Sequence, residues 1–113
     1  MTNKFEFPKI ISSLPKAEIP LEGLEAYLFQ GDKQQIVFMS FAQDVNMPEH
    51  THNAQWGTVL SGEIELTVNN KATTYKKGDT YFIPANAPHS AKIKKGYADI
   101  TLFDERDRFK ISG

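Results

Sequence analysis

No cysteine occurs in the 113 residues, which excludes disulfides, thiolate metal sites and a cysteine nucleophile. Neither sign of charge is in excess. Thirteen basic and fourteen acidic side chains leave a formal net charge of -1, so nothing global argues for a nucleic-acid partner or an anionic membrane. Arginine is scarce, present only as Arg106 and Arg108 in the closing stretch DERDRFKISG. Long apolar runs are missing too: none approaches the roughly 20 residues that span a bilayer, and MTNKFEF lacks the apolar core of a signal peptide. The expectation is a cytoplasmic protein with a small-molecule partner, neither nucleic acid nor membrane. A convincing long helix is also absent, because no window repeats apolar residues at i, i+3, i+4 and i+7.

What the chain does contain is period two. From Leu24 onward, LEAYLF, QIVFMSF, GTVL, EIELTV, TYFI, SAKI and YADITLF are short runs rich in β-branched and aromatic residues. Turn formers separate them in QGDK, LSGE, VNNK, KKGD, PANAP and KKGY. Seven or more strands and an all-β sandwich or barrel follow. Asn69-Asn70 suits a two-residue hairpin, since asparagine tolerates positive φ. Residues 1–23, broken by Pro8, Pro15, Pro20 and Gly23, read as an irregular N-terminal arm with room for short edge strands. Residues 24–113 read as one barrel domain, the length suiting a single core. The charged C-terminal stretch reads as a solvated cluster, its end either frayed or ordered.

The three histidines carry the chemistry. In MPEHTHNAQWG, His50 and His52 stand two apart, so on an extended strand both imidazoles share a face and can bind one cation. His89 follows GDTYFIPANAP, a strand-and-turn unit whose prolines fix the chain direction. Two readings stand, a metal site and hydrogen-bonded barrel residues without metal.

With these residues in view, the chain resembles the cupins, small β-barrels of jelly-roll topology, also described as a double-stranded β-helix. Their first motif, G-x5-H-x-H-x(3,4)-E-x6-G, appears here as Asp44, His50, His52, Gln55 and Gly62, with Asp44 in place of the first glycine. Their second, G-x5-P-x-G-x2-H-x3-N, appears as Gly78, Pro84, Asn86, His89 and Ile93, with Asn86 replacing the motif glycine and Ile93 its terminal asparagine. The resemblance implies a divalent transition metal (iron, manganese, nickel, copper or zinc) held by His50, His52 and His89. Gln55 stands at the place of the family's ligating glutamate, with one residue fewer after His52 than the motif gives. A glutamine ligand brings no negative charge, which implies a more weakly held and more strongly Lewis-acidic metal. Glu49 has the wrong strand parity to replace it.

Parity from these positions sends Gly57 and Val59 inward and Trp56, Thr58 and Leu60 outward. Gly57 is expected to leave open space near the metal. Outward Trp56 and Leu60 need cover from the arm or a second subunit, and a homodimer is the expectation. Tyr81 and Ile83 are placed inward and Phe82 outward; Tyr81 is a candidate general acid, with plain packing as the alternative. Lys92 and Lys94 read as a solvated face. With no arginine expected inside the barrel, an uncharged ligand is implied. Functionally, the resemblance implies a metal-dependent enzyme of dioxygenase or isomerase type acting on a small uncharged molecule. A non-catalytic module that binds a small ligand or metal is the alternative.

Overall fold

The hairpin Glu63–Lys76 shows how closely the local sequence dictates the fold. Ile64 and Leu66 are buried between the wetter Glu63, Glu65 and Thr67, and the strand turns back through Asn69 and Asn70 at φ 49° and 67°. Both values suit the type I′ turn that matches strand twist. The computed structural model describes residues 5–112. In chain order it holds α1 (Lys9–Ser12), β1 (Lys16–Ala17), β2 (Leu24–Gln30), β3 (Gln35–Phe41), β4 (Val45–His50) and β5 (Gln55–Ser61). Then come β6 (Glu63–Val68), β7 (Lys71–Lys76), β8 (Thr80–Ile83), β9 (His89–Ile93), β10 (Ala98–Phe103) and β11 (Ile111–Ser112).

The strands form two antiparallel sheets, one ordered β11-β1-β2-β3-β10-β5-β8 and the other β4-β9-β6-β7. The core lies between them, where Leu28, Val37, Met39, Phe41 and Val59 meet Ile64, Leu66, Ala91 and Ile93. β3 is central, as its apolar residues on both faces require. The chain crosses between sheets at Ser61-Gly62-Glu63. Gly62 has φ +70° there, and a Cβ would come within 2.8 Å of the Tyr97 backbone. Asp44, at a motif glycine position, instead accepts a hydrogen bond from the Lys95 amide at 2.8 Å, tying together two loops.

Two regions are more ordered than their composition suggests. In the arm, β1 pairs with both β2 and β11, and Phe7 packs edge-on against Tyr27 and Phe38 at 6.1 and 6.0 Å. The charged C-terminal stretch, expected to be solvated, folds across the barrel mouth. The buried Gln35 side chain clamps Phe109 with a donated and an accepted hydrogen bond, each 2.9 Å. Asp104 donates its amide to Ala54 at 2.8 Å, and Asn53 donates to the Glu105 carboxylate at 3.2 Å. Paired backbone and one buried amide side chain outweigh the solvation of charges that mostly still point outward.

Candidate metal centre

The three histidines reach one point from two strands and a loop. His50 ends β4, His52 lies two residues beyond it, and His89 opens β9, paired with His50 across the ladder. His52 is thus placed by the loop, not by strand parity, after a register shift between Met47 and His50. Ring centroids are 4.2 Å apart for His50 and His89, 4.6 Å for His52 and His89, and 5.3 Å for His50 and His52. One nitrogen from each lies within 4.8 Å of the others. Among the described residues, no carboxylate joins this group, and Glu49 points to solvent.

Hydrogen bonding fixes which nitrogens are available. His50 Nδ1 meets the Pro48 carbonyl at 2.8 Å, His52 Nδ1 that of Asn53 at 2.6 Å, and His89 Nδ1 that of Ala87 at 2.8 Å. A carbonyl oxygen only accepts, so each Nδ1 carries a proton and each neutral ring offers the lone pair of Nε2. His52 Nε2 and His89 Nε2 then stand 3.0 Å apart, a spacing that a metal ion bound to both or a single proton shared between them would satisfy. Burial is the main cause that lowers the pKa of both His52 and His89, and the charge of Arg108 pushes the same way. Both rings are therefore poised as neutral ligands near pH 7.

Below the histidines a cavity of about 560 Å³ runs into the barrel. Phe103 lies against His52, its ring 5.6 Å away, and Arg108 caps the same end, its guanidinium 4.4 Å above the Phe109 ring. Arg108 lines the cavity, half-buried, with Nε buried and without a partner among the described residues. An arginine therefore does line the cavity, contrary to the expectation of an arginine-free barrel.

Gln55 lines the cavity as parity requires. Its amide nitrogen donates to Thr101 Oγ1 at 3.0 Å and reaches the Tyr81 hydroxyl at 3.5 Å. Tyr81 is inward and buried, and its hydroxyl donates to Asp99 at 2.8 Å. Burial, and next the charge of Asp99, raise its pKa well above the ordinary value, so it is a hydrogen-bond donor at neutral pH. Gly57 does face inward but leaves no open space. It pairs with Tyr81 across the sheet, and a Cβ there would lie 2.3 to 2.6 Å from the tyrosine ring. The glycine makes room for the tyrosine.

Sequence reasoning passed over Asp99, which is 3% exposed and accepts a 2.6 Å hydrogen bond from Tyr97 besides that from Tyr81. Its signal was present: Phe103, Thr101 and Asp99 share one face of β10, and all three are buried. Burial pushes this carboxyl up to about 6, against the opposing pull of the two tyrosine hydroxyls.

A jelly-roll barrel with three convergent histidines at its mouth defines the class. The chain belongs to the cupin family, whose cupin-domain model matches residues 37–101, more than half of it. No curated protein matches its sequence. Among solved structures, it is similar to an RmlC-like cupin from Shewanella frigidimarina, with TM-score 0.73 and 22% identity over 95% of this chain and 94% of that one. It is also similar to KdgF from Halomonas sp., with TM-score 0.68 and 18% identity over 80% and 87%. A single-residue variant of Bacillus subtilis oxalate decarboxylase gives TM-score 0.71 and 18% identity over 84% of this chain but only 28% of that one. At these identities the likeness is one of fold. No helix among the described residues is long and apolar enough to cross a membrane.

Proposed function

We propose that the protein is a metal-dependent cupin enzyme acting on a small carboxylate-bearing molecule, held between the three-histidine group and Arg108. The observation that carries this reading is the set of three imidazoles, each with Nδ1 bound to a carbonyl, beside a half-buried arginine with an unpartnered nitrogen. Arginine is the side chain best suited to a carboxylate. The name of oxalate decarboxylase, a structural neighbour, points to a small dicarboxylate for that protein. The ligand set is His50, His52 and His89 with Gln55 as the fourth. The 3.0 Å separation of the two Nε2 atoms favours a six-coordinate ion. Two nitrogens bound at about 2.1 Å subtend a right angle at that spacing and a tetrahedral angle only near about 3.4 Å. Iron, manganese or nickel fits that geometry better than tetrahedral zinc. When bound, such an ion supplies a Lewis acid with open positions for substrate. Arg108 orients the carboxylate, and the apolar walls of Met47, Leu66 and Phe103 exclude water.

Elemental analysis of protein purified without a histidine tag is expected to give about one such metal per chain. His50→Ala and His89→Ala each lower the affinity by more than about 100-fold, beyond the loss usual for residues that merely support a ligand. Circular dichroism is expected to show the β fold retained. Unchanged metal content in both variants would sink the assignment.

The outer face of the larger sheet supports a homodimer. Phe29, Ile36, Leu102, Trp56 and Phe82 form one row across β2, β3, β10, β5 and β8, with Phe29 53%, Trp56 42% and Phe82 59% exposed. The strip is about 19 Å long at strand spacing, and its three exposed aromatic rings are of the kind enriched at protein–protein interfaces. The contacts of Phe7 fall instead on the neighbouring row, at Tyr27 and Phe38. Sedimentation is expected to give twice the chain mass, reduced to the monomer by Trp56→Glu; a monomeric parent protein would refute the dimer.

A further inference from the structure

The deep end of the cavity holds a charge that the metal site does not use. Met39, Phe41, Ile64 and Ile93 wall this depth, and into their midst β10 places Asp99, 3% exposed. Both neighbouring hydroxyls, from Tyr81 and Tyr97, donate to the same oxygen, Oδ2. Oδ1 is left buried with no partner among the described residues. Among the described residues no lysine or arginine forms a salt bridge with it, and the two ion pairs found there are both on the surface. A buried carboxylate without a cation, and with one oxygen unsatisfied, is costly unless something else completes it. The tyrosines are themselves seated with care: Tyr97 is fully buried, and Gly57 gives up its side-chain space to the Tyr81 ring.

We infer that Asp99, backed by Tyr81 and Tyr97, is the deep recognition point of this cavity and takes a hydrogen-bond donor, a hydroxyl or ammonium group, from the far end of an elongated ligand. The inference deepens the reading of the cavity as a carboxylate site and rests on it. Phe103, at the mouth beside His52 and Arg108, and Asp99 share one strand face four residues apart, a span of about 13 Å. A two-carbon acid cannot reach from one end to the other. The ligand that satisfies both ends is a carboxylate of six or more carbons with a hydroxyl or amino group remote from the acid. At pH 7.5 Asp99, raised to about 6 by burial, is ionised and attracts such a donor; Oδ2 stays occupied by the tyrosines, so Oδ1, shielded in the ligand-free protein, is uncovered by the seating ligand and receives it.

The test is calorimetric titration of the metal-loaded protein at pH 7.5 with hexanoate, 6-hydroxyhexanoate, 6-aminohexanoate and their eight-carbon homologues. At least one hydroxy or amino acid is expected to bind about tenfold more tightly than its unsubstituted parent. Asp99→Asn is expected to abolish that preference while leaving metal content and parent-acid binding unchanged, because an amide at position 99 presents a donor where the ligand brings another. Should that variant fold poorly, the preference within the parent protein and its loss in Tyr97→Phe serve the same purpose. Equal binding of substituted and unsubstituted acids would overturn the deep recognition point and leave the proposed carboxylate site standing. No binding by any of the acids would overturn both.

Discussion

Gly57→Ala is expected to destabilise the protein by about 4 kcal/mol, a change far out of proportion to one methyl group. The added Cβ would lie 2.3 Å from a Tyr81 ring carbon in a sheet position flanked by β10 and β8. Neither backbone can shift without breaking a ladder, so the ring must leave. Overpacking of this kind costs about 1–3 kcal/mol. Losing the Tyr81 hydrogen bond to the Asp99 carboxyl adds about 1.5–3 kcal/mol, as for other bonds to charged groups. For a domain of this size the thermal midpoint falls by about 15 °C. The same methyl is expected to cost little in a Tyr81→Leu background, where the ring it strikes is gone. Simple additivity of the two losses in a double-mutant cycle would remove the ring from the explanation.

Asp99→Asn is expected to change how stability depends on pH. A carboxyl raised from its ordinary 3.8 to about 6 in the folded chain holds its proton between those values while the unfolded chain has released it. Folding is then favoured by acid, and this contribution is lost as pH rises through the window. Two pH units correspond to about 3 kcal/mol, undiluted by solvent because the group is buried. Urea denaturation from pH 4 to pH 7 is therefore expected to show the variant gaining about 3 kcal/mol on the parent. All other carboxyl groups are common to both proteins and cancel. Parallel stability curves would mean that Asp99 titrates as an ordinary carboxyl group. The predicted difference would mean that the parent protein keeps a destabilising charge in its core at neutral pH, as a group held for binding does.

Much of this was legible in the sequence, and the omissions share a cause. Period-two runs located the strands because a one-residue slip would expose every buried side chain, and Asn69-Asn70 announced its own turn. The histidines were legible because all three fall on the cupin motifs, and the structure does bring them together. Parity also turned Gly57 and Tyr81 inward. What parity could not say is that they face each other, since that depends on the pairing of β5 with β8. Asp99 drew no notice in YADITLF, because only the pairing of its strand shows that it shares a buried face with Phe103 and Thr101. Arg108 was hidden for a different reason: composition counts charges but not the path of the chain, and this one returns over the mouth through the Gln35 clamp.

That returning path separates two inheritances within one small protein. The three histidines lie on the barrel strands and the loop between β4 and β5, whereas the guanidinium at the entrance lies on a strap anchored at Asn53, at Gln35 and in the β1–β11 pair. Further hydrogen bonds tie it at Gln30, Asp32, Gln34 and Ala54, and none of them uses Arg108. Exchange of Arg108 with these anchors kept would retune what enters without touching the three histidines.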